Sequence, residues 1–236
     1  MDKVVIGDVH GCYKTLVALV DKVREQYPNT EIVFAGDLVD RGPMSRQVVN
    51  FVMEGGYKAV LGNHEDMMAT DILNNETPYT GEWLAYQGKE TLDSYKGYAE
   101  VMREHSMFFR KLPLFLEFED VTIPPTDDNH GRERHLVVSH ASIGSTWKFR
   151  DPSSDKYHFF KDKAVWNRDP PDDVSNVYNV HGHTPCYMEP KVKSFYANID
   201  TGCCFNRTGY GKLTAIHIPS MVLIQQENID SKFREL

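Results

Sequence analysis

Five short apolar runs in this chain each break off into a polar cluster carrying Asp, His or Asn, and that pattern restricts the fold more than any other feature. Residues 3–6 are followed by Gly7-Asp8-Val9-His10-Gly11, residues 31–35 by Gly36-Asp37-Leu38-Val39-Asp40-Arg41-Gly42, and residues 58–61 by Gly62-Asn63-His64-Glu65. Residues 135–139 run into His140-Ala141, and residues 177–181 into Gly182-His183-Thr184. Apolar runs of this length bounded by glycine read as buried strands. Between the first three, Leu16, Leu19, Val20 and Val23, then Val48, Val49, Val52 and Met53, recur at helical spacing. Alternating strands and helices predict β-α-β units and a mostly parallel sheet. In such a sheet ligands bind outside the carboxyl ends of the strands, so the five clusters are expected to meet in one place.

The rest of the 236 residues is read more coarsely. Residues 65–113 follow a helical pattern interrupted by Pro78 and several glycines, 114–123 return to strand, and 124–133 form a polar surface loop. Residues 150–163 are polar and aromatic without a clear period, and 195–199, 213–218 and 221–225 are further strands. Without internal repeat or linker, residues 1–236 are expected to form a single domain.

Composition sets the class. Asp and Glu outnumber Lys and Arg by 34 to 26, for a formal charge of -8, which argues against stable nucleic-acid binding. No apolar stretch approaches the length of a membrane span. The chain opens directly into its first strand, and its four cysteines, Cys12, Cys186, Cys203 and Cys204, form no Cys-x-x-Cys pair. A cytoplasmic setting with buried, inert cysteines is therefore expected.

Singly, each polar cluster is weak: a lone Asp after a strand is often a helix cap and a Gly-Asn pair only a turn. Together, Asp8, His10, Asp37, Asn63, His140 and His183 offer three oxygen and three imidazole ligands. That mix suits two divalent metal ions of the Mn²⁺, Fe or Zn²⁺ type better than Ca²⁺. Otherwise six polar side chains at strand ends would each need separate hydrogen-bond satisfaction.

In this order, GDVHG, GDLVDRG, GNHE, a strand followed by His-Ala, AVWNR and GHTP resemble the phosphoprotein phosphatase family of metallophosphoesterases, nearest to the bacteriophage lambda phosphatase and its bacterial relatives. The resemblance runs from Val4 to about Gln225. It implies an α/β fold, a two-sheet β-sandwich flanked by helices in an α/β/β/α arrangement. It further implies that Asp8 and His10 hold the first metal, that Asp37 bridges both, and that Asn63, His140 and His183 complete the second. Two such ions lower the pKa of a water from 15.7 towards about 7. His183, before Thr184-Pro185, matches the family ligand, which leaves His181 a supporting role.

By the same resemblance His64 protonates the leaving group and Asp40 orients it, while Arg41, Arg168 and Asn63 grip the phosphate. An imidazole titrating near working pH beside a carboxylate suits that task on chemical grounds alone. Planar guanidinium groups suit the spread charge of the phosphoryl oxygens. Many members carry Arg before Gly-Asn-His-Glu where this chain has Leu61. Glu65, Asp66, Asp200 and the remaining histidines, His105, His130, His135, His158 and His217, are read as structural.

The expected activity is that of a metal-dependent phosphomonoesterase, foremost a serine/threonine protein phosphatase of broad specificity. The alternatives on the same scaffold are a dinucleoside polyphosphate hydrolase and an RNA-end or cyclic phosphate phosphodiesterase. A non-catalytic metal-stabilised module ranks far below, since no ligand or acid residue of the pattern is missing. Phosphorylated proteins, small phosphoesters or nucleotides are thus the expected partners. Tyr79, Trp83, Tyr86, Trp147, Phe149, Tyr157 and Phe159 lie on segments expected to shape the rim of the site.

Overall fold

Two five-stranded sheets stack face to face in the computed structural model, which describes residues 2–74, 83–84, 87–124, 132–174 and 176–230. The elements run β1 (Lys3–Ile6), α1 (Tyr13–Gln26), β2 (Glu31–Phe34), α2 (Ser45–Glu54), β3 (Lys58–Ala59), α3 (Asn63–Asn74), α4 (Lys89–Ser94) and α5 (Ala99–Phe109). There follow β4 (Phe115–Ile123), β5 (Arg134–Ser139), a 3-10 turn (Gly144–Phe149), α6 (Tyr157–Trp166), β6 (Val177–His181), β7 (Lys191–Val192), β8 (Tyr196–Asn198), β9 (Lys212–Ile218) and β10 (Val222–Glu227).

The first sheet has the order β10-β9-β1-β2-β3 and the second β4-β5-β6-β8-β7. β1, β2 and β3 are parallel, as the β-α-β reading expects, with Lys3 opposite Glu31 and Ile6 opposite Phe34. β9 and β10 join them antiparallel, and in the second sheet parallel β5, β6 and β8 are edged by antiparallel β4 and β7. The expected mostly parallel sheet is thus two mixed sheets. Periodicity identifies a strand but not the direction of its partner.

Continuous apolar runs arise because the central strands are covered on both faces. Val4 and Ile6 of β1 pack on the helical side with Leu16, Leu19, Val48 and Val52. Val5 points the other way, into the space between the sheets, with Val33, Leu136, Val138, Val180 and Ile216. Outside the second sheet, Val137 and Val177 meet Trp147, Phe160 and Ala164 of the 3-10 turn and α6. Three apolar layers therefore separate helix, sheet, sheet and helix. Each fully buried aliphatic side chain contributes about 1.5–3 kcal/mol, so the strand ends are held firmly in place.

α6 begins in the stretch that showed no clear period, because its buried positions are only Phe160, Ala164 and Val165 among lysines and an aspartate. Tyr79, Tyr86, His130 and residues 125–131 of the expected polar loop lie outside the described residues.

Candidate active site

The carboxyl ends of β1, β2, β5 and β6 and the start of α3 deliver their side chains to one buried point, at which Asp37 is central. Its Oδ2 lies 3.4 Å from His10 Nε2 and its Oδ1 3.3 Å from His140 Nε2. His140 Nε2 is also 2.9 Å from Asn63 Oδ1 and 3.0 Å from His183 Nδ1. The Asp8 carboxylate accepts the His183 backbone N–H at 3.0 Å. Gly182 is needed beside it, since a Cβ there would run into Asp8 Oδ1. Two groups with the spacing of metal ligands result, His10-Asp37-His64 and Asp37-His140-His183, with Asp37 shared.

The backbone is strained where these residues sit. His10, Asp37, Asp40, Arg41 and His183 have φ of 47°, 50°, 71°, 67° and 70°. Left-handed conformations at non-glycine positions cost on the order of 1–3 kcal/mol each and persist only where the surroundings over-determine them. Glu65 supplies much of that determination. Its carboxylate accepts backbone N–H groups from Asp37 (2.8 Å), Leu38 (2.8 Å), Val39 (3.2 Å) and Gly62 (3.1 Å), splinting the loop after β2 to the start of α3. Burial and the nearby Asp37 push its pKa up, while the N–H groups that occupy both of its oxygens favour the ionised form.

Ring orientation favours metal binding. A carbonyl can only accept, so His10 Nδ1 donates to Val39 O at 2.8 Å and His140 Nδ1 to Ala35 O at 2.9 Å. Each ring then presents the lone pair of Nε2 to the centre. His183 turns Nδ1 toward His140, and its Nε2 is buried with no hydrogen-bond partner among the described residues. Burial pulls the pKa values of His10 and His140 down, and burial with His140 takes that of His183 to about 3, which leaves all three neutral as ligands must be. Burial would raise the Asp37 pKa; protonated imidazoles around it would hold it well below the carboxylate range, a stabilisation that neutral rings leave to a cation. Asp8 is pushed up by burial and by Asp200 and Asp37, and Asp200 to about 6 by burial. Three buried carboxylates beside neutral imidazoles call for cationic charge, and the donor set matches divalent metals of borderline hardness.

At one side of this centre, His64 Nδ1 lies 2.6 Å from Asp40 Oδ2. Asp40 is held in turn by Thr91 Oγ1 at 2.7 Å and Trp83 Nε1 at 2.9 Å. Burial would lower the His64 pKa, but Asp37 and Asp40 outweigh it and raise it. Arg41 donates through Nε to Gln87 Oε1 at 2.7 Å, and its terminal nitrogens lie 2.5 Å from His10 Nε2 and 3.1 Å from His64 Nε2. Arg168 is exposed just beyond α6 and acts electrostatically on both His183 and Asp200. It borders a cavity of about 240 Å³ shared with His181, Lys191 and Tyr196.

The structure brings together Asp8, His10, Asp37, Asp40, Arg41, Asn63, His64, His140 and His183, and puts Arg168 at their edge. Asp200 holds its turn, accepting Gly202 N–H at 2.8 Å. His105, His135 and His217 bond to Tyr95, Glu117 and Ser220. Glu65, read as structural, is a support of the site, whereas sequence reasoning missed Thr91 and Gln87. The rim aromatics are redistributed: Trp83 is 1% exposed and serves Asp40, Trp147 packs in the outer core, and Phe159 faces solvent. The aromatic ring beside Arg41 is instead Phe205, 5.5 Å from its guanidinium carbon.

A buried cluster of this kind, two His/Asp groups sharing one carboxylate at the strand ends of an α/β/β/α sandwich, defines a metal-dependent phosphoesterase. The chain belongs to the calcineurin-like phosphoesterase family, whose model matches residues 1–204, and it is a phosphoric ester hydrolase of that family. It is 30% identical to the asymmetrical bis(5′-nucleosyl)-tetraphosphatase PrpE of Bacillus subtilis, over 98% of each chain. It is 29% identical to the PrpE of Bacillus velezensis, over 98% of this chain and 96% of that one. A protein serine/threonine phosphatase from Saccharomyces cerevisiae shares the fold, with a TM-score of 0.57, 15% identity and 98% and 81% of the two chains covered. These relatives support the family rather than the phage branch expected from the motifs. No helix among the described residues is long and apolar enough to cross a membrane.

Proposed function

We propose that this enzyme hydrolyses dinucleoside polyphosphates, cleaving a phosphoanhydride bond at a two-metal centre. The observation that carries the hydrolytic chemistry is the Asp37 carboxylate, whose two oxygens face two separate imidazole groups. The end-to-end likeness to PrpE favours a nucleotide substrate over the phosphoprotein expected from the motifs. In this reading Asp8, His10 and Asp37 hold one ion and Asp37, Asn63, His140 and His183 the other, with Mn²⁺ suited to the mixed donors. When bound, the ions supply positive charge for the phosphoryl oxygens and a water acidic enough to react at neutral pH.

The chain's own residues do the rest. Arg41 and Arg168 offer planar N–H donors to the equatorial oxygens, where charge spreads as the bond to the leaving oxygen breaks. Asp40 accepts the Nδ1 proton of His64, so Nε2 is the atom that hands a proton to the leaving oxygen. The strained loops fix these groups before substrate arrives.

A substrate panel on the Mn²⁺-loaded enzyme tests the reading. Diadenosine tetraphosphate should be cleaved to a mononucleotide and a nucleoside triphosphate, with kcat/KM at least about tenfold above that for a phosphoserine peptide, a preference of some 1.4 kcal/mol. A tenfold preference for the phosphopeptide would restore the protein-phosphatase reading. Cleavage only of cyclic or diester phosphates would favour the third.

A further inference from the structure

A run of aromatic rings leads from Arg41 out to solvent. Phe205 lies 5.5 Å from the guanidinium carbon, Tyr210 is 6.0 Å from Phe205 at 89°, and Tyr187 is 5.8 Å from Tyr210 at 69°. Tyr187 and its neighbour Met188 are 61% and 58% exposed, large side chains left in water a few residues past His183. Their loop is not loose. Met188 N–H donates to Gly209 O at 2.7 Å and Cys186 N–H to Asp200 O at 2.8 Å, which ties the rings to the turn that follows Asp200. Gly209, with φ 86°, lets the Tyr187 ring lie directly on the backbone, where any Cβ would collide with it.

We propose that Phe205, Tyr210 and Tyr187 form an edge-to-face aromatic platform on which a nucleobase of the substrate stacks against one ring face while the adjoining phosphate lies at Arg41. This deepens the nucleotide reading above and takes its substrate class from it. A 5′-nucleotide carries its base one sugar away from its phosphate, and the rings begin one ring-width away from the guanidinium. Every base has a π face, so a platform of this kind accepts any nucleotide without reading its hydrogen-bonding edge. It would discriminate nucleotides from phosphoesters that lack a base, and purines from pyrimidines only through stacking strength. Because the rings are already placed, little side-chain freedom is lost on binding.

Isothermal titration of the Mn²⁺-loaded full chain with AMP and with ribose 5-phosphate isolates the base. AMP is expected to bind about fivefold to hundredfold more tightly, the range that one base stack supplies. Tyr187→Ala should reduce that ratio severalfold with the ribose 5-phosphate affinity unaltered, Phe205→Leu should remove most of it, and Phe205→Trp should restore it. Tyr187 is exposed, so its variant keeps the test valid even if Phe205→Leu fails to fold. Equal binding of AMP and ribose 5-phosphate to the wild type, or an AMP advantage that survives both truncations, would overturn the platform. The affinities are read from binding isotherms, with phosphate release followed in parallel so that turnover is separated from binding. An AMP advantage that tracks the rings in an enzyme inactive on dinucleotides would sink the substrate reading alone, and efficient dinucleotide cleavage without that advantage would sink the platform alone.

Discussion

The pairing of His64 with Asp40 has consequences that depend on what leaves the phosphorus. A serine alkoxide is a strong base and needs a proton as the bond breaks, whereas p-nitrophenolate and a nucleotide phosphate depart with little help. His64→Asn should therefore slow phosphoserine hydrolysis by about 10²–10⁴-fold, the usual range for general acid catalysis, and the other substrates much less. Asp40→Asn should repeat that ordering in milder form, because Thr91 and Trp83 still hold the side chain while its charge is gone. Metal analysis decides the competing role. His64 also completes a ligand-like group with His10 and Asp37, so loss of an ion in His64→Asn, with equal defects on all substrates, would make it a ligand instead of an acid.

Among the elements, the loop after β2 and the start of α3 act as one unit through Glu65. Glu65→Gln replaces an oxygen that accepts N–H groups by an amide that itself donates, setting donor against donor. The expected cost is about 1–3 kcal/mol of folding stability, with metal affinity weakened about 10–100-fold, read by urea unfolding and by metal titration. Unchanged metal affinity would show that the splint does not position Asp37. A second element-scale effect comes from α5, where His105 Nδ1 accepts the Tyr95 hydroxyl at 2.6 Å. Burial lowers the His105 pKa from 6.5 to about 4, so between those values the unfolded chain takes up a proton that the folded chain refuses. Stability is unaffected above pH 6.5 and falls as pH drops through this window. From pH 7.5 to pH 5 the wild type should lose about 2 kcal/mol more than His105→Gln in urea titrations. Equal losses would contradict this.

At the scale of the whole molecule, the central strands were legible because strands covered on both faces leave continuous apolar runs that break off in polar clusters, whereas the two-sheet sandwich was implied by the family resemblance. Asp8, Asp37 and His140 could be placed at one point from that pattern alone. The antiparallel strands β7, β9 and β10 could not be placed, since pairing direction is decided by tertiary contacts that leave no local period. Trp83 was misassigned for a related reason. A tryptophan on a helical segment looks the same whether it lines a rim or donates to a buried carboxylate, and the Asp40 it serves is distant in sequence. Phe205 was missed because its proximity to Arg41 comes from the closeness of two strand-end loops. What remained obscure is long-range; what was clear lies within ten residues of a strand end.

All of the proposed chemistry depends on two cations sharing Asp37. The direct measurement is titration of Mn²⁺ into chelator-stripped enzyme, with bound metal counted by elemental analysis and turnover of diadenosine tetraphosphate followed at each point. Expected are two bound equivalents per chain, negligible activity without metal, activity that rises as the second site fills, and loss of both ions in Asp37→Asn. Full turnover by metal-free enzyme, or an Asp37→Asn variant that keeps both ions and a normal rate, would contradict it.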